Sequence, residues 1–200
     1  MTIGIDIDEV LAEFLSALIS YHNTTFGTTF TKDQFRSPRY SETWGGTRDE
    51  AIQKVYDFHA TPYFEAIRPV PGSQEAVRVL RVHHDLHVIT SRPHDIAEAT
   101  STWLHRNFPD TFASIHHTNH YSQSGESTTK LQVCDMIGAD VLIEDSLDFA
   151  MECLSPNRKI LLLDCPWNAN TELPNGIVRV HSWKEITGIL RQRIPTPQAT

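Results

Sequence analysis

Asp6 and Asp8 stand one residue apart at the end of the apolar run TIGIDI, where a buried strand would ordinarily carry no charge. Three other short stretches carry complementary groups. Thr90, Ser91 and Arg92 follow the run LHVIT, Lys130 opens the stretch TKLQVCDMIG, and Glu144 and Asp145 follow DVLI. Carboxylates of this kind suit a hard divalent cation such as Mg²⁺, which takes a few carboxylate oxygens together with water and phosphate oxygens. Hydroxyls and an ammonium suit a phosphoryl group. Each piece alone has an ordinary alternative. An aspartate, threonine or serine caps helices, an acidic pair complements a helix dipole, and a lone lysine is usually solvated.

What joins these residues is the place each takes in the pattern of elements. Residues 2–7, 86–90, 114–118, 140–145, 159–163 and 177–180 read as strands, and the segments between most of them read as helices. Alternation of this kind predicts a Rossmann-like α/β fold, a parallel sheet with helices on both faces. Runs such as VLI and ILLL suit strands buried on both sides. In such sheets ligands bind beyond the carboxyl ends of the strands, and Asp6, Asp8, Thr90, Ser91, Glu144 and Asp145 all fall there. Between the first two strands the pattern breaks. The stretch EVLAEFLSALISYH (9–22) has helical spacing, and the aromatic-rich residues after it carry two capping boxes, Thr31 to Gln34 and Thr47 to Glu50. A helical insertion over 15–68 is expected, with 1–14 and 69–193 forming the sheet domain and a frayed Pro-rich tail over 194–200.

Composition narrows the partners. The 200 residues carry a net charge of −8, which argues against wrapping a nucleic acid polymer or docking on anionic lipid. No apolar run approaches the ~20 residues of a membrane helix. The three cysteines form no CxxC pair, so reduced thiols and a cytoplasmic home are expected. No heptad seam points to an oligomer.

The four stretches, in this order, resemble the four motifs of the haloacid dehalogenase superfamily. DIDEVLAEF, PVPGSQEAV, VITSRP, TWLHRNFP, VLIEDS, DCPWN and HSWKEI further resemble the 5′(3′)-deoxyribonucleotidase family, of the type whose helical cap lies between the first two motifs. The resemblance spans residues 2–193 and implies a haloacid dehalogenase-like core. It implies a phosphomonoesterase acting on a small phosphorylated substrate, a nucleoside monophosphate. Asp6 would be the nucleophile and Asp8 the general acid and base. Mg²⁺ would be held by the Asp6 carboxylate, the Asp8 backbone carbonyl and Asp145. Thr90, Ser91 and Lys130 would bind the phosphoryl oxygens, and Phe14 would line the base pocket, with Trp44 a further candidate by composition.

Three positions depart from that pattern. Glu9 stands where many relatives have glycine, Glu144 replaces the first of two aspartates, and Arg92 stands where proline is frequent. Arg92 is expected at the substrate mouth, as a cation for a second anionic group. Rival readings are a phosphatase of a sugar or other metabolite, a carbon–halogen hydrolase, and a degenerate binding protein. Asp8, Lys130 and Asp145 argue against the last two. The histidines around 83–87 and 116–120 are expected to be structural, and no histidine stands at a useful spacing from Cys165 to make it a nucleophile.

Overall fold

The computed structural model describes residues 1–120 and 125–191. Six strands, β1 (Thr2–Ile5), β2 (Asp85–Thr90), β3 (Ser114–His117), β4 (Val141–Glu144), β5 (Lys159–Leu163) and β6 (Ile177–Val180), form one sheet. Its order is β3-β2-β1-β4-β5-β6, and every pairing is parallel. The chain runs outward from β1 to β3, then returns to the other side of β1 at β4. That reversal is a topological switch point, where a crevice opens at the strand ends.

Alternation along the strands sorts the core into two layers. Ile3, Ile5, Val88, Val141, Ile143 and Leu161 face one side and pack with α5 (Ser73–Leu80), α6 (Ala97–Asn107) and α9 (Trp183–Arg191). Ile89, Leu142, Ile160 and Leu162 face the other, with α7 (Lys130–Met136) and α8 (Leu147–Cys153). Gly4 belongs to the second face. A Cβ there would meet Ile89 Cδ1 at 2.7 Å and Leu142 Cδ1 at 3.2 Å, so the close fit of the neighbouring strands requires glycine. Burying these aliphatic side chains, at about 25 cal/mol per Å² of apolar surface, is the main force holding the strand ends in place.

Helical spacing from Glu9 predicts a helix over 9–22, but α1 begins at Phe14 (Phe14–Phe26). Residues 6–13 form a tight loop instead. The carbonyl of Ile7 accepts hydrogen bonds from the N–H groups of Val10, Leu11 and Ala12, and Glu9 takes a left-handed φ of 63°. Val10 and Leu11 are buried because this loop folds onto the sheet domain, where Trp183 Nε1 donates to the Val10 carbonyl at 2.8 Å. Burial at those positions mimics a helical stripe.

The chain then continues through α1, a 3₁₀ turn (Lys32–Gln34), α2 (Ser41–Trp44), α3 (Arg48–His59) and α4 (Pro62–Glu65). Both capping boxes form at their expected places, before Lys32 and before α3. The outgoing and returning chains cross side by side. Glu13 N donates to the Arg68 carbonyl at 2.9 Å, and Val70 N donates to the Leu11 carbonyl at 2.8 Å. Of the helices expected between the strands, α5 stops at Leu80, and a 3₁₀ turn (His94–Ile96) precedes α6. The 194–200 tail lies outside the described residues. Among the described residues no helix is long and apolar enough to cross a membrane.

Candidate active site

The carboxyl ends of β1, β2 and β4 bring most of the singled-out residues together. Asp6 continues β1, its N–H donating to the Ile143 carbonyl of β4 at 3.0 Å, so sheet register sets its position. Lys130, the first residue of α7, is buried at 1% exposure with Nζ 3.0 Å from Asp6 Oδ1 and 2.7 Å from Glu144 Oε2. The ammonium also lies 4.6 Å from the centre of the Phe149 ring. Glu144 is fully buried, and its other oxygen accepts from the Asp145 and Ser146 N–H groups at 3.2 and 3.1 Å. The first acid of the pair is thus spent on holding Lys130.

Asp145 is held differently. Trp167 Nε1 donates to its Oδ2 at 3.0 Å, and Asn168 Nδ2 donates to its backbone carbonyl at 2.7 Å and to the Leu163 carbonyl at 2.9 Å. Arg179 Nη2 donates to the Asn168 carbonyl, fixing the turn after β5. Trp167 and Asn168 lie in the DCPWN stretch, whose residue types alone carry no obvious role. Only folding shows that they support Asp145.

Two pairs lie on the loop side. Arg92 grips Asp8 with two nitrogens: Nη2 donates to Oδ1 at 2.6 Å, and Nε lies 3.2 and 3.1 Å from the two carboxyl oxygens. Glu9 is buried; it accepts from the Leu15 N–H at 2.7 Å and pairs with Lys32, which lies on the 3₁₀ turn of the helical insertion.

Charge bookkeeping over this region is informative. Five carboxylates, Asp6, Asp8, Glu9, Glu144 and Asp145, face three cations, Lys32, Arg92 and Lys130. Asp8, Glu9 and Glu144 each hold a cation closely. Asp6 shares Lys130, and Asp145 has no ion-pair partner among the described residues. The deficit shows in their proton affinities. Burial pushes the Asp6 carboxyl up to about 7, with Lys130 pulling it down and Glu144 and Asp8 adding to the rise. Burial, then Glu144 and Asp6, holds Asp145 well above the usual carboxylate range. Lys130 loses to burial but gains more from Asp6 and Glu144, and stays firmly protonated. One ligand atom from each of Asp6, Glu144 and Asp145 lies within 4.8 Å of the others. The Asp8 backbone carbonyl accepts no backbone hydrogen bond among the described residues. Under-compensated buried carboxylates beside an open carbonyl fit a hard divalent cation.

The hydroxyls fit an anion. Thr90 Oγ1 accepts the Arg92 N–H at 3.2 Å, which leaves its own O–H to donate. Ser91 Oγ is buried without a partner. Phe14 is buried at the start of α1, edge-on to Phe58 and beside the guanidinium of Arg92. Trp44 is placed apart from these, in an aromatic stack of the insertion between His22 and Tyr40. His87 and His116 share the Ser114 hydroxyl on adjacent strands. The three cysteines are buried free thiols.

The fold and this arrangement at the strand ends define a haloacid dehalogenase-like hydrolase. A haloacid dehalogenase-like hydrolase from Streptococcus pneumoniae superposes with a TM-score of 0.68 at 14% identity, covering 94% of this chain and 97% of that one. A protein described as a predicted phosphatase, from Clostridium acetobutylicum, superposes equally well, with a TM-score of 0.68 at 16% identity over 96% of this chain and 98% of that one. The family model described as 5′ nucleotidase, deoxy (Pyrimidine), cytosolic type C protein matches residues 1–194, and the chain belongs to that family. It is 27% identical over 193 residues to the 5′(3′)-deoxyribonucleotidase of Bacillus subtilis, covering 92% of this chain and 95% of the relative. Membership makes this protein a phosphoric monoester hydrolase of the nucleotidase kind.

Proposed function

We propose that the chain hydrolyses nucleoside 5′-monophosphates in the cytoplasm through an aspartyl-phosphate on Asp6, with Mg²⁺ as cofactor. The observation that carries this reading is the buried pair Asp6 and Asp145, short of positive charge, beside Lys130 and the hydroxyls of Thr90 and Ser91. The Asp6 carboxylate, the Asp8 carbonyl and Asp145 would hold Mg²⁺, which when bound would supply the charge neutralisation that lets a carboxylate approach a phosphate dianion.

In the first step an Asp6 oxygen attacks phosphorus, and the bond from phosphorus to the nucleoside oxygen breaks. The electron pair goes to that oxygen, and Asp8 supplies its proton. In the second step water attacks phosphorus and Asp8 takes the water proton. The phosphorus–oxygen bond to Asp6 breaks, which restores the carboxylate and releases phosphate. Lys130, Thr90 and Ser91 bind the phosphoryl oxygens, on which negative charge is spread in the transition state. The helical insertion over 15–68 serves as a cap that excludes water, and Phe14 contributes the wall on its side.

A phosphate-release panel of nucleotides, sugar phosphates and an aryl phosphate, run with Mg²⁺ or with EDTA, tests the reading. Nucleotide turnover that EDTA abolishes is expected. Turnover of sugar phosphates alone would remove the substrate and keep the chemistry. Turnover indifferent to EDTA would remove the metal.

A further inference from the structure

We propose that Arg92 is a positioning residue for proton transfer: it fixes the Asp8 carboxyl against the leaving oxygen and takes no part in binding a second anion of the substrate. This rests on the phosphomonoesterase reading above.

Each nitrogen of the guanidinium donates a hydrogen bond. Nε and Nη2 are on Asp8, and Nη1 donates to Thr100 Oγ1 of α6 at 3.2 Å. Its centre lies 5.9 Å from the Phe14 ring and 5.1 Å from the Phe64 ring, one at each edge of the helical insertion. The side chain is 3% exposed, against 30% for Asp8. A cation meant for a second anion of the substrate would present a free N–H toward solvent, and this one presents none. Moving it would also strand Asp8 without its counter-ion.

The geometry suits positioning. Asp8 sits on the irregular loop between β1 and α1, where one rotatable bond could turn its carboxyl away. A planar guanidinium contacting both oxygens fixes the plane as well as the distance. Proton transfer needs that accuracy, since donor and acceptor must come within roughly 2.6–3.2 Å. Arg92 follows Thr90 and Ser91 at the same strand end, so the residues that hold the phosphoryl group also set the reach of the proton carrier. The imidazole of His59 is a neighbour of both Arg92 and Asp8. Burial, then Arg92, pushes it down to about 4, so it is neutral and offers Asp8 no substitute cation.

Leaving-group dependence separates this role from a merely structural one. A nucleoside alkoxide needs a proton as it departs, whereas p-nitrophenolate does not. In Arg92→Met, kcat/KM for a nucleoside 5′-monophosphate, which reports only the step in which the leaving group departs, should fall about 100-fold. On p-nitrophenyl phosphate the fall in kcat/KM should stay within a few-fold, because any loss in the shared second step lowers kcat alone. Arg92→Lys, with one contact in place of two, should recover part of the nucleotide rate. Thr100→Val keeps Arg92 and removes only its anchor, so it should show the same selectivity on a smaller scale and decides the question if Arg92→Met does not fold. Equal losses of kcat/KM on both esters would overturn the positioning role alone. A wild-type protein that hydrolyses neither ester would overturn the phosphomonoesterase reading and this inference with it.

Discussion

The two charged clusters at the sheet's carboxyl edge are built on opposite principles. Asp6, Lys130, Glu144 and Asp145 sit on strand ends and a helix start, fixed by register and buried, and they are short of positive charge. Asp8–Arg92 and Glu9–Lys32 are balanced one to one, and each reaches from the loop after β1 to another part of the chain. The first cluster is the one that the proposed Mg²⁺ would neutralise. The second is already neutralised; Arg92 ties the loop to the end of β2, and Lys32 ties it to the helical insertion. The contrast separates a binding centre from the groups that aim and cover it.

The largest expected effect strikes the first cluster. Lys130→Met leaves Glu144 buried without a counter-ion, and loss of such a partner costs about 3–5 kcal/mol; urea unfolding would measure it. If the loss were under about 1 kcal/mol, the cluster would not be strained in the way its burial implies. Next comes Trp167→Phe, which removes the one side-chain donor to the Asp145 carboxylate among the described residues while shrinking the ring system only partly. Divalent-metal affinity should drop about tenfold, read by calorimetric titration with Mg²⁺ or by Mn²⁺ resonance spectroscopy.

A third prediction uses the proton affinity of Asp6. Its carboxyl is raised from 3.8 to about 7 on folding, so between those values the folded state binds the extra proton. Stability from this group therefore falls as pH rises through that window. A bound cation cancels the cost, so Mg²⁺ should raise Tm by a few degrees at pH 8 and hardly at all at pH 5. A shift independent of pH would separate metal binding from these carboxylates.

The smallest effect belongs to the loop side. Glu9→Gly relieves a left-handed backbone worth about 1 kcal/mol. It forfeits the Leu15 hydrogen bond and the pair with half-exposed Lys32, which such pairs make worth about 0–1 kcal/mol. Net stability should move by less than about 1 kcal/mol, while Lys32 becomes more reactive toward acetylation. A large loss would mean that the loop pairs carry stability as the strand cluster does.

The contrast also explains what the sequence revealed. Strand ends announce themselves, because apolar runs stop where charge begins; Asp6, Thr90 and Asp145 were legible on that ground, and Lys130 at the next helix start. The loop was not. Val10, Leu11 and Phe14 keep helical spacing in a segment whose first half is a turn, and nothing local marks Glu9 as left-handed. Arg92 and Glu9 stood out only as departures from a family pattern. Their partners, Asp8 and Lys32, lie 84 and 23 residues away, and Trp167 stands 22 residues from the carboxylate it supports. Such pairings arise from topology, which side-chain spacing does not encode.

In the proposed mechanism Asp6 forms a covalent bond to phosphorus during turnover. Acid quenching during steady-state turnover of a nucleoside monophosphate, followed by borohydride reduction and peptide mass spectrometry, addresses it directly. The account predicts homoserine at position 6 in the wild-type protein and unmodified peptide in a sample quenched before substrate is added. Continued phosphate release with position 6 unmodified, or with the label on any other residue, would contradict it.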